Sequence, residues 1–241
     1  MREECVLRRS SRAARVESTN PVYALVSVQA PEFYAEHRVS QQQIEDSAFN
    51  MEAELSRFMG WQFAVAEGAE FVAGTGTPNQ MRGLTDVGAG ISSTVTGVAA
   101  DLPADAAGGD KLIDLQYSLP TPYARNARWI MNRTILGRIR KFKDSSGRWV
   151  WEPSLIAGQP STILGSPYTE VPDMPNVAAA AFPIGYGDWN LTYRLVDRID
   201  LQMARDPYTL ANAGQVKFSA RKRVGGEVVL PAAARLLKCS L

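Results

Sequence analysis

Residues 127–175 read ARWIMNRTILGRIRKFKDSSGRWVWEPSLIAGQPSTILGSPYTEVPDMP. Within this stretch the mostly apolar run Arg128–Met131 predicts a buried strand, and Asn132 is a suitable cap for a helix directly after it. A glycine turn, the paired Trp149 and Trp151, a proline-rich loop and a second strand are expected next. The order strand, helix, strand is compatible with many folds that contain both element types, so the flanking sequence has to narrow the choice.

A long amphipathic helix is predicted upstream of this stretch, starting near Ser47 and ending before Gly74. Asp46, Ser47 or Asn50 could cap it, because each side chain can accept a hydrogen bond from a free N–H group of the first turn. About 22 helical residues would span ~33 Å, which requires packing along much of the length. The positions that recur at three- and four-residue steps are Met51, Leu55, Phe58, Met59, Gln62, Phe63, Ala66, Ala69 and Val72.

Three shorter segments are predicted around this helix. Alternation over Val22–Val28 leaves one face consistently apolar, which favours a strand. Residues 74–105 are rich in Gly, Thr, Ala and Asp, and we expect loops with little regular structure there. Asp110–Leu119 predicts a short helix that two prolines bring to an end.

The C-terminal third has the pattern of antiparallel strands. Apolar and polar residues alternate over positions 199–203 and again over positions 216–220. The turn-rich link between the two runs predicts that they pair, with one dry face and one wet face. Gly225-Gly226 is expected to kink the chain after the second run. Helices followed by a separate block of strands indicate the α+β class.

Length and composition fit a globular protein without a global attraction to nucleic acid. The chain has 241 residues, of which 45% are hydrophobic and 21% are charged, and its net charge is +1. No apolar run approaches the ~18 residues that span a bilayer. The N-terminal MREECVLRRSSRAAR lacks the apolar core of a secretory signal. These features predict a protein of the cytoplasm that does not enter a membrane.

The residues capable of catalysis or metal binding are few and scattered. His37 is the only histidine, and Cys5 and Cys239 lie at opposite ends of the chain, so their spacing forms no triad, zinc site or redox pair. The run Gly74–Pro78 lacks the lysine of a phosphate loop and follows a predicted helix instead of a strand. The sequence therefore predicts no catalytic residue, no cofactor and no metal ligand.

Four acidic side chains leave an alternative open, namely Asp101, Asp105, Asp110 and Asp114. A solvated face explains their spacing, whereas a cation site or an acid–base pair would make the chain a small α+β enzyme with its site in this region. The lack of a histidine, cysteine or metal constellation weighs against that enzyme.

The basic and aromatic residues indicate solvated or subunit-facing surfaces more than binding sites. The basic set consists of Arg133, Arg138, Arg140, Lys141, Lys143 and Arg148. It has no aromatic residues interleaved for base stacking, so we expect a solvated or subunit-facing surface. In the run Arg221–Arg223, alternate residues should point out of a strand. Trp149 and Trp151 would share one strand face, either in a core or, since Trp is enriched at interfaces, between subunits.

Three blocks of the sequence resemble, in their order, the major capsid proteins of tailed bacteriophages of the Hong Kong 97 type. The first block has VSQ at 39–41, DSAF at 46–49, EGAEFV at 67–72 and GL at 83–84. The second is the stretch 127–175, preceded by LIDL at 112–115. The third has GDW at 187–189, VDR at 196–198, RDPYT at 205–209 and RVGG at 223–226. Capsid proteins of prophages and gene-transfer agents look most similar, while encapsulins share the fold but not these phrases.

The resemblance implies an α+β, Hong Kong 97-like capsid fold. Residues 1–38 would form an N-terminal segment with part of the extended E-loop. Residues 39–99 and 199–241 would form a peripheral domain, with a long spine helix and antiparallel strands, and residues 100–198 an axial domain. Copies of the chain would assemble as pentamers and hexamers into an icosahedral shell. That virion capsid, made in the bacterial cytoplasm, would enclose double-stranded DNA and contact it non-specifically at most.

The resemblance also bears on further partners and on crosslinking. A scaffolding segment and a prohead protease would act with a full-length form, and this chain begins about where the E-loop would be, keeping its return strand. Some relatives crosslink through an E-loop lysine, but the first lysine here is Lys111, and Ala220–Lys222 shows no catalytic glutamate. We therefore predict a shell held by noncovalent contacts. The alternative function is an encapsulin-like nanocompartment shell.

Overall fold

The computed structural model describes residues 25–48, 50–77, 79–103, 105–143, 146 and 162–241. In chain order the helices and strands are β1 (Glu32–Ser40), α1 (Gln41–Asp46), α2 (Met51–Ala73), β2 (Ser92–Ala99), α3 (Asp105–Tyr117), α4 (Thr121–Ala124), β3 (Arg128–Met131), α5 (Arg133–Ile139), β4 (Thr162–Ile163), β5 (Ser166–Glu170), β6 (Ile184–Gly187), α6 (Trp189–Thr192), β7 (Tyr193–Asp206), β8 (Gln215–Val228) and β9 (Ala234–Ser240). The strands form two sheets, ordered β1-β8-β7 and β2-β9-β6-β3-β5-β4. The α+β class predicted from the sequence is confirmed.

α2 is the predicted long helix; it ends before Gly74 as expected and begins at Met51, four residues after Ser47, directly after the last of the three candidate caps. Asn50 caps it, and its side chain accepts a hydrogen bond from the Ala53 N–H at 3.2 Å. Gly74 follows the last turn and donates its N–H to the Glu70 carbonyl at 2.9 Å. A Cβ at Gly74 would overlap the carbonyl oxygen of Met81, so the glycine permits a close return of the chain at this end of the helix.

The N-terminal half of α2 packs on the three-stranded sheet. The buried residues of this cluster are Val39, Leu55, Met59, Phe63, Val216, Phe218 and Ala220. β7 and β8 are antiparallel, as predicted, and Leu201 and Met203 of β7 join the cluster from its edge. A Cβ at Gly60 would lie 3.8 Å from Leu201, an ordinary van der Waals contact, so the packing here would also accept an alanine. The buried apolar face of this sheet is thus the surface on which the helix packs.

The six-stranded sheet carries the larger core around β3. Trp129 has no exposed surface, its ring centre lies 4.4 Å from that of Tyr186, and its indole N–H donates to the Ile163 carbonyl at 3.0 Å. Asn132 caps α5 as predicted, since its side-chain oxygen accepts from the Ile135 N–H at 2.8 Å. The predicted unit of strand, cap and helix is therefore confirmed.

The C-terminal half of α2 reaches this second sheet. Val72 packs with Ile130 of β3 and with Met174 in the turn after β5. At Gly68 an added Cβ would lie 2.7 Å from a carboxylate oxygen of Asp173, a side chain that would have to rotate to make room. Because one rigid helix contacts both sheets, it fixes their relative position.

Three sequence predictions for the N-terminal half need correction. The strand expected over Val22–Val28 is wrong for its described part, which has no regular structure; residues 22–24 lie outside the described residues. The strand is instead β1, which pairs with β8 along its whole length. Residues 74–105 contain β2, which pairs with β9 in parallel, and local composition carries no sign of so distant a partner. α3 starts five residues before the predicted Asp110, at Asp105.

The pair Gly225-Gly226 does not kink the chain, since β8 continues through it to Val228. Both glycines instead admit close neighbours. A Cβ at Gly225 would overlap the carbonyl oxygen of Gln29, and one at Gly226 would overlap the Tyr193 hydroxyl. The first contact seats the extended segment 25–31 across β8.

We expect Gly225→Ala to lower the free energy of unfolding by about 1–3 kcal/mol, the usual cost of overpacking. The obstacle is backbone, which cannot rotate away as a flexible side chain can. Gly137→Ala is the matched control, because its Cβ would meet nothing within 4 Å inside α5 and should stabilise the helix by up to ~1 kcal/mol. Urea denaturation of both variants checks this, and equal midpoints for the two would contradict it.

Candidate assembly surfaces

α2 presents a second apolar face, turned away from the three-stranded sheet. Phe58, Trp61 and Val65 are 49%, 61% and 47% exposed, and the rings of the two aromatic residues are 6.3 Å apart. Steps of three and four residues place them within about 60° of one another around the helix. We call these three residues the α2 stripe. Large apolar side chains grouped in this way mark interaction surfaces more often than scattered ones do.

The flanks of the α2 stripe are nearly neutral. Arg57 pairs with Glu54 at 2.6 Å, and the sequence from Phe58 to Ala73 contains no lysine or arginine. Glu70 accepts a hydrogen bond from the Met81 N–H at 3.3 Å. Within α2, the stripe is therefore an apolar surface whose one nearby arginine is paired.

A buried ion pair joins α2 to β8. The Lys222 ammonium group lies 2.8 Å from Oε2 of Glu67, with both side chains mostly buried. The other carboxylate oxygen, Oε1, is buried and has no hydrogen-bond partner within the described structure. Such a pair holds the helix on the sheet only while both charges are present, because either one alone would be an uncompensated buried charge.

The two edges of the three-stranded sheet differ. β7 has two register shifts, between Asp197 and Ile199 and between Ile199 and Gln202, and such bulges blunt an edge. β1 pairs with β8 in unbroken register, and no other strand of the described ranges pairs with it. A regular open edge is a template for strand addition from another chain.

The predicted basic set does not form one patch. Arg138 pairs with Asp101 at 2.6 Å, and Arg140 donates to the Tyr168 hydroxyl at 3.2 Å. Arg133, Lys141 and Lys143 are exposed. Arg148 lies outside the described residues, as do Trp149 and Trp151, so the interface predicted for the tryptophans remains a prediction.

The run Arg221–Arg223 alternates across β8 as predicted. Arg221 donates to the Gln202 side chain at 3.0 Å on the face away from α2, whereas Lys222 points to Glu67 of the helix. Arg223 donates to the Ala30 carbonyl at 3.0 Å and so anchors the segment that crosses Gly225.

The acidic residues predicted as a solvated face do not share one partner. Asp101 forms an ion pair with Arg138, and the carboxylate of Asp114 lies 3.5 Å from the ammonium group of Lys111. Asp110 is exposed, and the side chain of Asp105 lies outside the description. Across the described part of the chain, no group of three or more His, Cys, Asp or Glu side chains could hold a metal ion.

The remaining candidates occupy unrelated places. His37 is exposed on β1 opposite Phe218. Cys239 is buried in β9, and this burial raises the pKa of its thiol; Cys5 lies outside the described residues. After α2 the chain makes a tight turn in which the Gly76 N–H donates to the Met81 carbonyl at 3.0 Å, and Pro78 is not described. None of the described helices is long and apolar enough to cross a membrane.

Sequence reasoning missed the α2 stripe because it merged two helix faces. Phe58 stood in one apolar series with Leu55, Met59 and Phe63, and Trp61 was not singled out. A helical wheel separates the two faces. Phe58 and Trp61 lie on one side of Leu55, and Phe63 lies on the other side. The sequence showed that this face of the helix is apolar, but it did not show that the face is exposed to solvent.

Comparisons with known proteins agree on one family. The family model described as "Phage capsid family" matches residues 9–239. The capsid of an empty GTA particle is 36% identical with a TM-score of 0.82, and that of a native GTA particle is 33% identical with a TM-score of 0.83; each match covers 97% of this chain and 80% of that chain. The capsid of Myoviridae Phage XM1 has the same fold at 14% identity, with a TM-score of 0.67 over 100% of this chain and 83% of that one.

A search of curated protein sequences gives no significant match. The family match spans nearly the whole chain, and the likeness to the two GTA capsids exceeds 30% identity over 97% of it. Subunits of this kind assemble with copies of themselves into shells. The chain therefore belongs to the phage capsid family, as a structural subunit and not an enzyme.

Proposed function

We propose that this chain forms the icosahedral shell of a phage or phage-like particle, arranged in pentamers and hexamers. The observation that supports it most is the likeness to the GTA capsid chains over 97% of the sequence. One fold can serve both kinds of ring, because heterologous contacts between identical subunits close around an axis. Exposed apolar and edge surfaces on α2 and β1 offer such contacts.

We propose a peripheral domain of residues 39–99 and 199–241, an axial domain of residues 100–198, and an N-terminal segment of residues 1–38 whose part of β1 pairs with β8 of the peripheral domain. The packing of α2 on β1 and β8 supports the peripheral domain, and the core around β3 supports the axial one. β9 pairs with both β2 and β6. We therefore propose that β2 and β9, although they come from the peripheral segments, complete the axial sheet.

The shell would enclose double-stranded DNA and touch it non-specifically at most. A net charge of +1 gives no strong attraction to phosphate. Arg138 and Arg140, from the basic set around α5, already have partners within the subunit. DNA retention would then depend on enclosure and not on recognition.

Assembly is proposed to take place in the bacterial cytoplasm, with a scaffolding segment and a prohead protease acting on a full-length form. The resemblance of the three sequence blocks to Hong Kong 97-type proteins supports this part of the proposal. The assembled subunit is then a component of the particle.

The proposal is tested by expressing the chain and examining it by negative-stain electron microscopy and light scattering. Uniform shells or rings of five and six subunits are expected. A protein that stays monomeric at every concentration, alone and with upstream coding sequence added, would contradict the proposal. Shells that enclose a specific protein cargo in place of DNA would favour the nanocompartment alternative.

Denaturing electrophoresis of such shells should give a single band at the mass of one chain, 26.3 kDa. We expect this because residues 1–110 contain no lysine to donate to a crosslink. Boiling in detergent separates noncovalent subunits but leaves isopeptide bonds intact. A ladder of dimers and larger rings that resists reducing agent would contradict the prediction.

A further inference from the structure

We propose that the α2 stripe is buried against a second copy of this chain in the assembled shell. The inference rests on the proposed function and names one of its contact surfaces. Phe58, Trp61 and Val65 are each about half exposed in the isolated subunit.

The size of the exposed apolar surface supports an interface. Large aromatic side chains have 150–250 Å² each, so the three residues together expose roughly 300 Å². That reaches the lower end of the roughly 300–600 Å² typical of the largest apolar patch on a monomer, a patch that is often functional. A stable interface uses ~800 Å² on each partner, so the stripe would supply more than a third and form its apolar centre.

The charge around the stripe selects a protein partner over DNA. A phosphate backbone is bound by free lysine and arginine side chains. α2 has one arginine, Arg57, which pairs with Glu54, and no lysine. The charge of Glu67 would repel DNA, but Lys222 neutralises it. This ion pair lies on the side of the helix away from the stripe. A neutral apolar face complements another apolar protein face, and a capsid subunit is surrounded by copies of itself.

The stripe contributes little to the fold of its own subunit. The side chains that pack α2 on the sheet are Leu55, Met59 and Phe63, and all three are buried. Trp61, in contrast, has 61% of its surface exposed. Among the described residues, the aromatic ring beside it is Phe58 of the same helix. Shortening Trp61 should therefore alter assembly without unfolding the chain.

Hydroxyl-radical labelling with mass spectrometry tests the inference on the unaltered protein. Dissociated subunits and DNA-free shells are labelled under the same conditions, with buried Trp129 as the internal standard for a protected ring. We expect Phe58 and Trp61 to be labelled strongly in dissociated subunits. In shells, their extent of labelling should fall toward that of Trp129. Full labelling of Trp61 in intact shells would overturn the inference and leave the proposed function standing.

Two variants give an independent readout. Trp61→Ala should raise the protein concentration needed for assembly by at least about tenfold, as expected for an aromatic anchor. Gln62→Ala is the control, an exposed neighbour on the same helix with the same new side chain. Equal assembly of the two variants would contradict the inference, and so would protection of Trp61 that appears only when DNA fills the shell. Val65→Ala replaces Trp61→Ala if circular dichroism shows that the latter does not fold.

The two possible failures remain distinct. Shells that form while Trp61 stays accessible contradict only the assignment of the α2 stripe. A chain that forms no shells or rings at any concentration contradicts the proposed function and the inference together.

Discussion

Trp129→Ala should lower the free energy of unfolding by about 3–5 kcal/mol, a large fraction of the roughly 5–15 kcal/mol that stabilises a typical domain. The indole fills the centre of the core around β3, has no exposed surface, and lies against Tyr186 with 4.4 Å between ring centres. Its removal leaves a cavity that strands on both sides cannot collapse into. Chemical denaturation followed by circular dichroism measures the loss.

Trp129→Phe separates packing from hydrogen bonding at this position. Phenylalanine keeps most of the apolar volume but leaves the Ile163 carbonyl without the N–H that now binds it at 3.0 Å. We expect an intermediate loss of about 1–3 kcal/mol, the cost of an unsatisfied buried polar group. If the alanine variant is no less stable than the phenylalanine variant, β3 does not occupy the centre of the core.

Lys222→Met should cost about 3–5 kcal/mol, because it leaves the Glu67 carboxylate buried without its counter-charge. Oε2 of Glu67 now lies 2.8 Å from the lysine, and Oε1 already lacks a hydrogen-bond partner within the described structure. The loss should fall on the contact between α2 and β8. Thermal unfolding of the isolated subunit would record it.

The double variant Glu67→Met with Lys222→Met is the informative control. Apolar replacement of a buried ion pair is often neutral or stabilising by about 1–4 kcal/mol, so the double variant should recover most of the stability lost in the single one. A double variant as unstable as Lys222→Met alone would show that the lysine acts through packing and not through its charge.

The sequence was most informative where structure depends on neighbours along the chain. The cap at Asn50, the strand before Asn132 and the helix after it follow from side chains that bind backbone groups a few residues away, and all three are confirmed. The alternation that placed β7 against β8 is also confirmed, because a turn-rich link brings the second run back alongside the first.

Features that depend on distant partners could not be derived in the same way. Residues 74–105 have the composition of loops, and β2 forms there because β9 lies alongside it. Gly225-Gly226 has the signature of a kink, yet its role is set by Gln29 and Tyr193, which come from elsewhere in the chain. For the assembly surface, the sequence showed that Phe58 is apolar but not that the helix would turn it outward.

The position of β9 has a consequence for the order of events in the cell. β9 lies between β2 and β6, and Ser92 of β2 pairs with Arg235, so the strand that completes the larger sheet is synthesised after every other strand in it. Contacts of such long sequence separation form late and slowly. A nascent chain on the ribosome therefore cannot complete the larger sheet until β9 has been synthesised.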